Sequence, residues 1–157
     1  MDQWTVCDKG HVHWGTAGGA GLLFRYMPEH GEATYLLQLR SQSVDYGGTW
    51  GIPGGAIRIG ETPEMAARRE VQEEIGSLPP YRIAGGEIQD CGGNWNFHII
   101  IADVDHDFPA FCARETQATG WFTTEEMRSL VLHPGLESWL DQEGSKGPDR
   151  NRRPTVR

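Results

Sequence analysis

The ten residues Tyr46 to Gly55 carry five glycines and a proline, and a helix starts soon after them at Thr62-Pro63. No other feature constrains the chain as strongly. Glycines reach backbone angles that other residues avoid, so this segment can wrap closely around a ligand. Threonine caps the free amides of a helix start, proline suits its first position, and Gly76 stops it after Ile75. At about 100° per residue, Glu70 at zero puts Glu74 near 40° and Glu73 near 300°, with Ala67, Val71 and Ile75 at about 60°, 100° and 140°. An apolar stripe therefore faces a core while three carboxylates crowd the adjacent arc. Like charges three and four residues apart cost a helix about 0.2–0.5 kcal/mol per pair, which a hard divalent cation would offset. Mg2+ suits such a site, because it takes oxygen ligands and is commonly held by one or two carboxylates plus substrate phosphates. The plainer alternative is a solvated helix face on which Arg69 pairs with Glu73 at i,i+4.

Around this segment the pattern alternates between strand and helix. Leu22-Leu23-Phe24-Arg25 and Thr34 to Arg40 read as strands joined by the Pro28–Gly31 turn, hence as a hairpin. Ser41 to Gly60 reads as loop. Pro79-Pro80 prevents any continuation of the helix; Tyr81 to Gln89 is extended, Cys91-Gly92-Gly93 turns the chain, and Asn94 to Val104 has strong β composition. Gly120-Trp121-Phe122 forms a short strand, and Thr123 with Glu126 makes a capping box for a helix. His133-Pro134-Gly135 breaks that helix before a short last one ending near Leu140. Gln142 to Arg157 lacks apolar periodicity and reads as a solvated tail, so residues 1–141 form one domain and 142–157 a flexible extension.

Composition narrows the partners. The chain of 157 residues has 14 Lys and Arg against 22 Asp and Glu, a net charge of −8. That balance opposes a general attraction to nucleic acid or to an anionic membrane. Its apolar runs are too short to span a bilayer, and three widely spaced cysteines, Cys7, Cys91 and Cys112, fit a reducing cytoplasm better than a disulfide framework. A cytoplasmic protein, monomer or homodimer, acting on a small molecule is expected.

Gly55, five residues, Glu61, seven residues and then Arg69-Glu70-Val71-Gln72-Glu73-Glu74-Ile75-Gly76 closely resembles the signature of the Nudix hydrolases. One position departs: Ser77 stands where the family has an aliphatic residue, with Leu78 after it. The flanks are similar too, with a strand ending in Arg40, then Trp50-Gly51-Ile52-Pro53-Gly54-Gly55, and later Trp121-Phe122 leading into an acidic helix start. The resemblance covers most of the chain and implies an α/β (α+β) fold, an α/β/α sandwich with a mixed β-sheet. It further implies Mg2+-dependent hydrolysis, with Mn2+ able to substitute, of a nucleoside diphosphate linked to another group.

By the same resemblance Glu70, Glu73 and Glu74 match metal-binding glutamates, and Gly54 matches a glycine whose carbonyl can ligate metal. Arg69 matches an arginine that orients a neighbouring glutamate, and Glu61 a residue that supports the loop–helix geometry. Glu73 is the expected general base, with Glu115 the alternative or an added metal ligand. Arg40 is a candidate for phosphate, and Trp50, Trp95 and Trp121 for stacking on a base. Among substrates a nucleoside triphosphate, including an oxidised one, is expected. Cys91 stands about fifteen residues past Gly76, where ADP-ribose hydrolases often carry proline, and no tyrosine lies two to four residues further on, as in many dinucleoside polyphosphate hydrolases. ADP-ribose, a nucleotide sugar or another small diphosphate stays open, as does a non-catalytic nucleotide-sensing module. Cys7, His11 and His13 cluster near the N-terminus, but their spacing matches no common four-ligand zinc pattern and a fourth partner would have to come from afar. His98, inside an apolar strand, reads as a hydrogen-bonded core histidine.

Overall fold

A computed structural model describes residues 4–15, 17–92, 95–110 and 115–145. Asn94, Cys112 and the 146–157 part of the expected tail lie outside them. The chain opens with an antiparallel pair, β1 (Trp4–Val6) and β2 (Val12–Trp14), that forms its own small sheet. The main sheet then takes β3 (Gly19–Tyr26), β4 (Thr34–Arg40), β5 (Trp50–Gly51) and β6 (Gly54–Ala56). Helix α1 (Pro63–Ile75) follows, then β7 (Arg82–Asp90), β8 (Asn96–Val104), β9 (Thr116–Phe122), α2 (Thr124–Met127) and α3 (Pro134–Ser145).

β3 lies at the centre. It runs parallel to β8 along its whole length, from Gly19 opposite Phe97 to Tyr26 opposite Val104; the other ladders are antiparallel, so the sheet is mixed, as expected. A strand buried on both faces reads as a continuous apolar run rather than an alternating one, and β3 is buried from Gly19 to Arg25. Ala20, Leu22 and Phe24 point to one face, where Ala67, Val71 and Ile75 of α1 cover them. Leu23 points to the other, packing with Leu37, Ile99 and Ile101 against Met127 of α2 and Leu136, Trp139 and Leu140 of α3. Helices on both faces complete the α/β/α sandwich.

The hairpin of β3 and β4 is real but brief. Only Arg25–Tyr35 and Tyr26–Thr34 pair before the strands part. β6 then pairs with Gly19–Gly21 of β3 and β5 with Gln38–Leu39 of β4. The glycine-rich segment, expected as loop throughout, thus supplies two short strands that line a fork in the sheet. No Cβ fits at Gly54, which lies against the backbone of Ala20 and Gly21. Close approach of two backbones is what glycine in a strand allows.

Helix α1 begins and ends where expected. Thr62 Oγ1 accepts a hydrogen bond from the Met65 amide at 3.2 Å, Pro63 opens the first turn, and Gly76, at φ 86°, donates its N–H to the Gln72 carbonyl. The capping box of Thr123 and Glu126 is also present, although α2 ends after one turn. Pro134 starts α3 rather than only breaking α2, and His133 Nδ1 accepts from the Gly135 amide at 3.1 Å. α3 runs on to Ser145, so Gln142 belongs to a helix and not to the tail: Leu136, Trp139 and Leu140 anchor its buried face. β9 starts at Thr116, earlier than expected, because its polar residues pair with β4.

At the closed end of the fork, Arg25 and Asp103 sit opposite one another on β3 and β8 and form a two-pronged ion pair of 2.7 and 3.0 Å, nearly sealed from water. Removing one partner of a buried pair leaves an uncompensated charge and costs about 3–5 kcal/mol. Asp103→Ala is accordingly expected to lower the unfolding free energy by about that amount, read from urea melts; a loss under about 1 kcal/mol would mean that water reaches the arginine.

Candidate functional site

The fork opens onto a cleft of about 1060 Å3 lined by Gly54, Gly55, Glu70 and Glu74, by Gln38 and Arg40 of β4, and by Glu115 and Trp95. Arg69 organises its acidic wall. The guanidinium donates from Nε and Nη2 to both Glu61 oxygens at 2.9 Å, from Nη2 to the Ala56 carbonyl at 3.0 Å, and from Nη1 to Glu70 at 2.7 Å. Its distance to Glu73 is 3.9 Å, so the i,i+4 pair is the weakest of these contacts. Glu61 also accepts from the Arg58 amide at 2.8 Å. The hydrogen bonds from Arg69 hold the Glu61 carboxyl down at about 2, well below its ordinary value.

Glu70 and Glu74 lie against the glycine strand. A Cβ at Gly55 would stand 2.5 Å from the Glu70 carboxyl carbon, so glycine is what lets the carboxylate sit on the backbone there. Glu74 accepts from Gln38 Nε2 at 2.8 Å and from the Gly54 amide. Burial pushes its pKa up to about 7, against the pull of the Gln38 hydrogen bond and with some help from the neighbouring Glu70 charge. Two partly buried carboxylates that crowd one wall, one of them reluctant to ionise, are a donor set suited to a hard cation. Glu73 is on the same helix but its side chain is 57% exposed, and it is not part of the cleft lining.

The remaining candidates divide the same way. Arg40 lines the cleft, with its Nε on the Asp45 carbonyl at 2.7 Å. Glu115 lines it from just before β9. Trp95 also lines it, stacked on His13 with ring centroids 3.8 Å apart and its Nε1 donating to the Gly15 carbonyl. Trp50 instead packs edge-on against Phe122, and Trp121 against Phe108, so both serve the core. His98 is only half-buried on β8, where burial lowers its pKa.

Among the lining residues that escaped sequence reasoning are Gln38, Tyr46 and His133. Gln38 is buried and relays Thr116 to Glu74: its amide oxygen accepts from Thr116 Oγ1 at 3.3 Å while its nitrogen donates to the carboxylate. The available signal was a lone polar side chain within the run Leu36-Leu37-Gln38-Leu39. Tyr46 and His133 meet across the cleft rim, ring centroids 4.7 Å apart. Burial, and then the charge of Arg40, holds His133 neutral, with its pKa near 4.

The NUDIX domain family model matches residues 16–142. The chain belongs to the Nudix family. Over 145 residues it is 37% identical to a Mycobacterium tuberculosis (strain ATCC 25618 / H37Rv) protein named "Putative 8-oxo-dGTP diphosphatase 3", a match spanning 88% of this chain and 67% of that one. It is 38% identical over 63 residues to the 8-oxo-dGTP diphosphatase of Proteus vulgaris, which covers 40% of this chain and 42% of that one. The crystal structure of a Nudix hydrolase from M. smegmatis, RenU, superposes with a TM-score of 0.81 at 32% identity, over 97% of this chain and 100% of that one. This chain is likewise a Nudix hydrolase, and of its signature residues Gly55, Glu70 and Glu74 line the cleft beside α1. No helix among the described residues is long and apolar enough to cross a membrane.

Glu74 makes the stability of this Nudix hydrolase depend on pH. Its folded pKa is raised above the ordinary 4.5, so the stability it confers is present below that value and is lost as pH rises through about 7. In buffer without Mg2+, thermal melts of the wild type are expected to fall between pH 5 and 8 relative to Glu74→Gln, which keeps the shape and cannot ionise. Parallel curves would show Glu74 to be solvated.

Proposed function

We propose that the protein is a Mg2+-dependent pyrophosphohydrolase that converts a (deoxy)nucleoside triphosphate, an oxidised one included, to the monophosphate and pyrophosphate. The observation that carries this reading is the sign of the cleft. Asp45, Glu70, Glu74, Glu87, Asp90 and Glu115 line it against Lys9 and Arg40, and a polyphosphate entering such a wall needs divalent cations to offset the repulsion. The names of the two 8-oxo-dGTP diphosphatases support the substrate class.

In this reading Glu70 and Glu74, with the Gly54 carbonyl, hold the metal, and Glu73 adds a carboxylate from the exposed side of α1. Bound Mg2+ would polarise the phosphate oxygens and acidify a water. Arg69 fixes Glu70 toward the cleft, and Gln38 fixes Glu74. Glu73 takes the proton of the attacking water, with Glu115 of the cleft lining as the alternative base. Water adds to phosphorus, one bridging P–O bond breaks, and the proton is carried off on the carboxylate. Arg40, already on the cleft wall, pairs with a phosphate. Of the aromatic side chains that line the cleft, the exposed Tyr46 is offered for the base in place of Trp50, with Trp95, stacked on His13, as the second candidate.

Pyrophosphate release across canonical and oxidised nucleoside triphosphates, ADP-ribose, dinucleoside polyphosphates and nucleotide sugars, with and without Mg2+, tests the reading. Turnover of triphosphates that needs Mg2+ and falls by at least about 100-fold in Glu70→Gln is the expected result. Glu73→Gln and Glu115→Gln separate the two bases, since the true one loses orders of magnitude in kcat with the fold intact. Preferential turnover of ADP-ribose or a nucleotide sugar would reassign the substrate, and tight nucleotide binding without turnover would identify a sensing module.

A further inference from the structure

Cys7, His11 and His13 lie ahead of the residues matched by the family model, and the fold brings them to Cys91. The four come from two separate turns. Between β1 and β2 the Cys7 amide donates to the His11 carbonyl at 3.0 Å and the Gly10 amide to the Cys7 carbonyl at 2.9 Å, with Gly10 at φ 80°. This tight turn sets Cys7 beside His11, and the two-residue period of a strand brings His13 to the same face. At the end of β7 the Cys91 amide donates to the Trp95 carbonyl at 3.1 Å and the Gly92 amide to Asp90 Oδ1 at 2.7 Å, which fixes the second turn.

One ligand atom from each of the four side chains lies within 4.8 Å of every other. His11 Nδ1 and His13 Nε2 stand 3.3 and 3.1 Å from Cys91 Sγ, and the sulfurs of Cys7 and Cys91 are in contact. Tetrahedral Zn2+, with Zn–S near 2.3 Å and Zn–N near 2.0–2.1 Å, needs ligand atoms separated by about 3.3–3.8 Å. Two thiols and two imidazoles, both ring nitrogens aimed at the same sulfur, are the donors zinc selects. A disulfide between Cys7 and Cys91 would use the sulfurs but leave the convergence of both histidines without a purpose.

We propose that Cys7, His11, His13 and Cys91 bind one Zn2+ ion that clamps the β1–β2 hairpin to the β7–β8 turn. Four protein ligands fill the tetrahedron and leave no position for a reacting water, so the site is structural. It is also chemically separate from the carboxylate wall: sulfur and imidazole select zinc where Glu70 and Glu74 select a hard ion. Its effect reaches the cleft all the same, because His11, His13, Cys91 and Trp95 line it and His13 carries the stacked Trp95 ring. The clamp therefore shapes part of the cleft wall.

The test is elemental analysis of the full chain purified without chelator, together with intact mass under non-reducing conditions. About one zinc per chain is expected, retained in Glu70→Gln and lost in Cys91→Ser. Should Cys91→Ser fail to fold, replacement of the zinc in wild-type protein by Co2+ decides: a site of this kind gives intense visible bands of tetrahedral cobalt and a near-ultraviolet thiolate-to-cobalt charge transfer. Zinc kept by a folded Cys91→Ser variant, octahedral cobalt, or a metal-free chain two hydrogens lighter than its sequence, the mark of a disulfide, would each overturn the proposal.

Discussion

The rest of the site depends on the guanidinium of Arg69. Its hydrogen bonds reach Glu61 in the segment ahead of α1, the Ala56 carbonyl at the end of β6 and Glu70 on the helix itself. A planar fork can serve several acceptors in fixed directions, as a lysine ammonium cannot. Here it does so from a partly buried position, where charge-assisted hydrogen bonds are stronger than on an open surface. Strand, loop and helix are thereby locked in one geometry, and the carboxylate of Glu70 is laid on the backbone of Gly55.

That geometry has a place to act because the sheet forks. β3 and β4 share only two residue pairs before diverging, and the short strands β5 and β6 occupy the inner edges of the gap. Backbone groups that would otherwise be unpaired in the fork are satisfied by these two strands and by the Leu22 amide, which donates to the Pro53 carbonyl at 3.1 Å. The glycines allow this because they let chains approach where side chains would collide. The same strands bring the buried Gln38 of β4 to the partly buried Glu74 of α1.

Two wall chemistries then meet across one cleft. On the α1 side hard carboxylate oxygens crowd together, and burial raises the pKa of one of them. On the other side the hairpin and the β7–β8 turn present sulfur and imidazole, with the Trp95 ring stacked on His13. An acidic wall favours a substrate that arrives with its own cations, while an aromatic one favours a flat group. The nucleotide with Mg2+ proposed as substrate would satisfy both.

Much of this was legible from local rules. The limits of α1, its cap, its apolar stripe, the stop at Gly76 and the capping box at Thr123 follow from propensity, capping and periodicity, which act within a few residues. The spacing from Gly55 to Gly76 carried the family, and with it the mixed sheet between helices. Where reading failed, the deciding contact was distant in sequence. Thr116 to Thr119 became strand because β4 offered them a partner, α3 continued past Leu140 on its buried face, and β5 and β6 formed only because β3 and β4 diverged. Trp50 and Trp95 have the same composition signal, yet only the fold sends one to Phe122 and the other to the cleft. Cys91 lies 84 residues from Cys7, and no local spacing could pair them. Sequence determined which residues could hold metal and make a helix, because those are properties of side chains and near neighbours; tertiary structure decided which of them share a wall, because that depends on how strands far apart in the chain divide the same hydrogen-bonding edge.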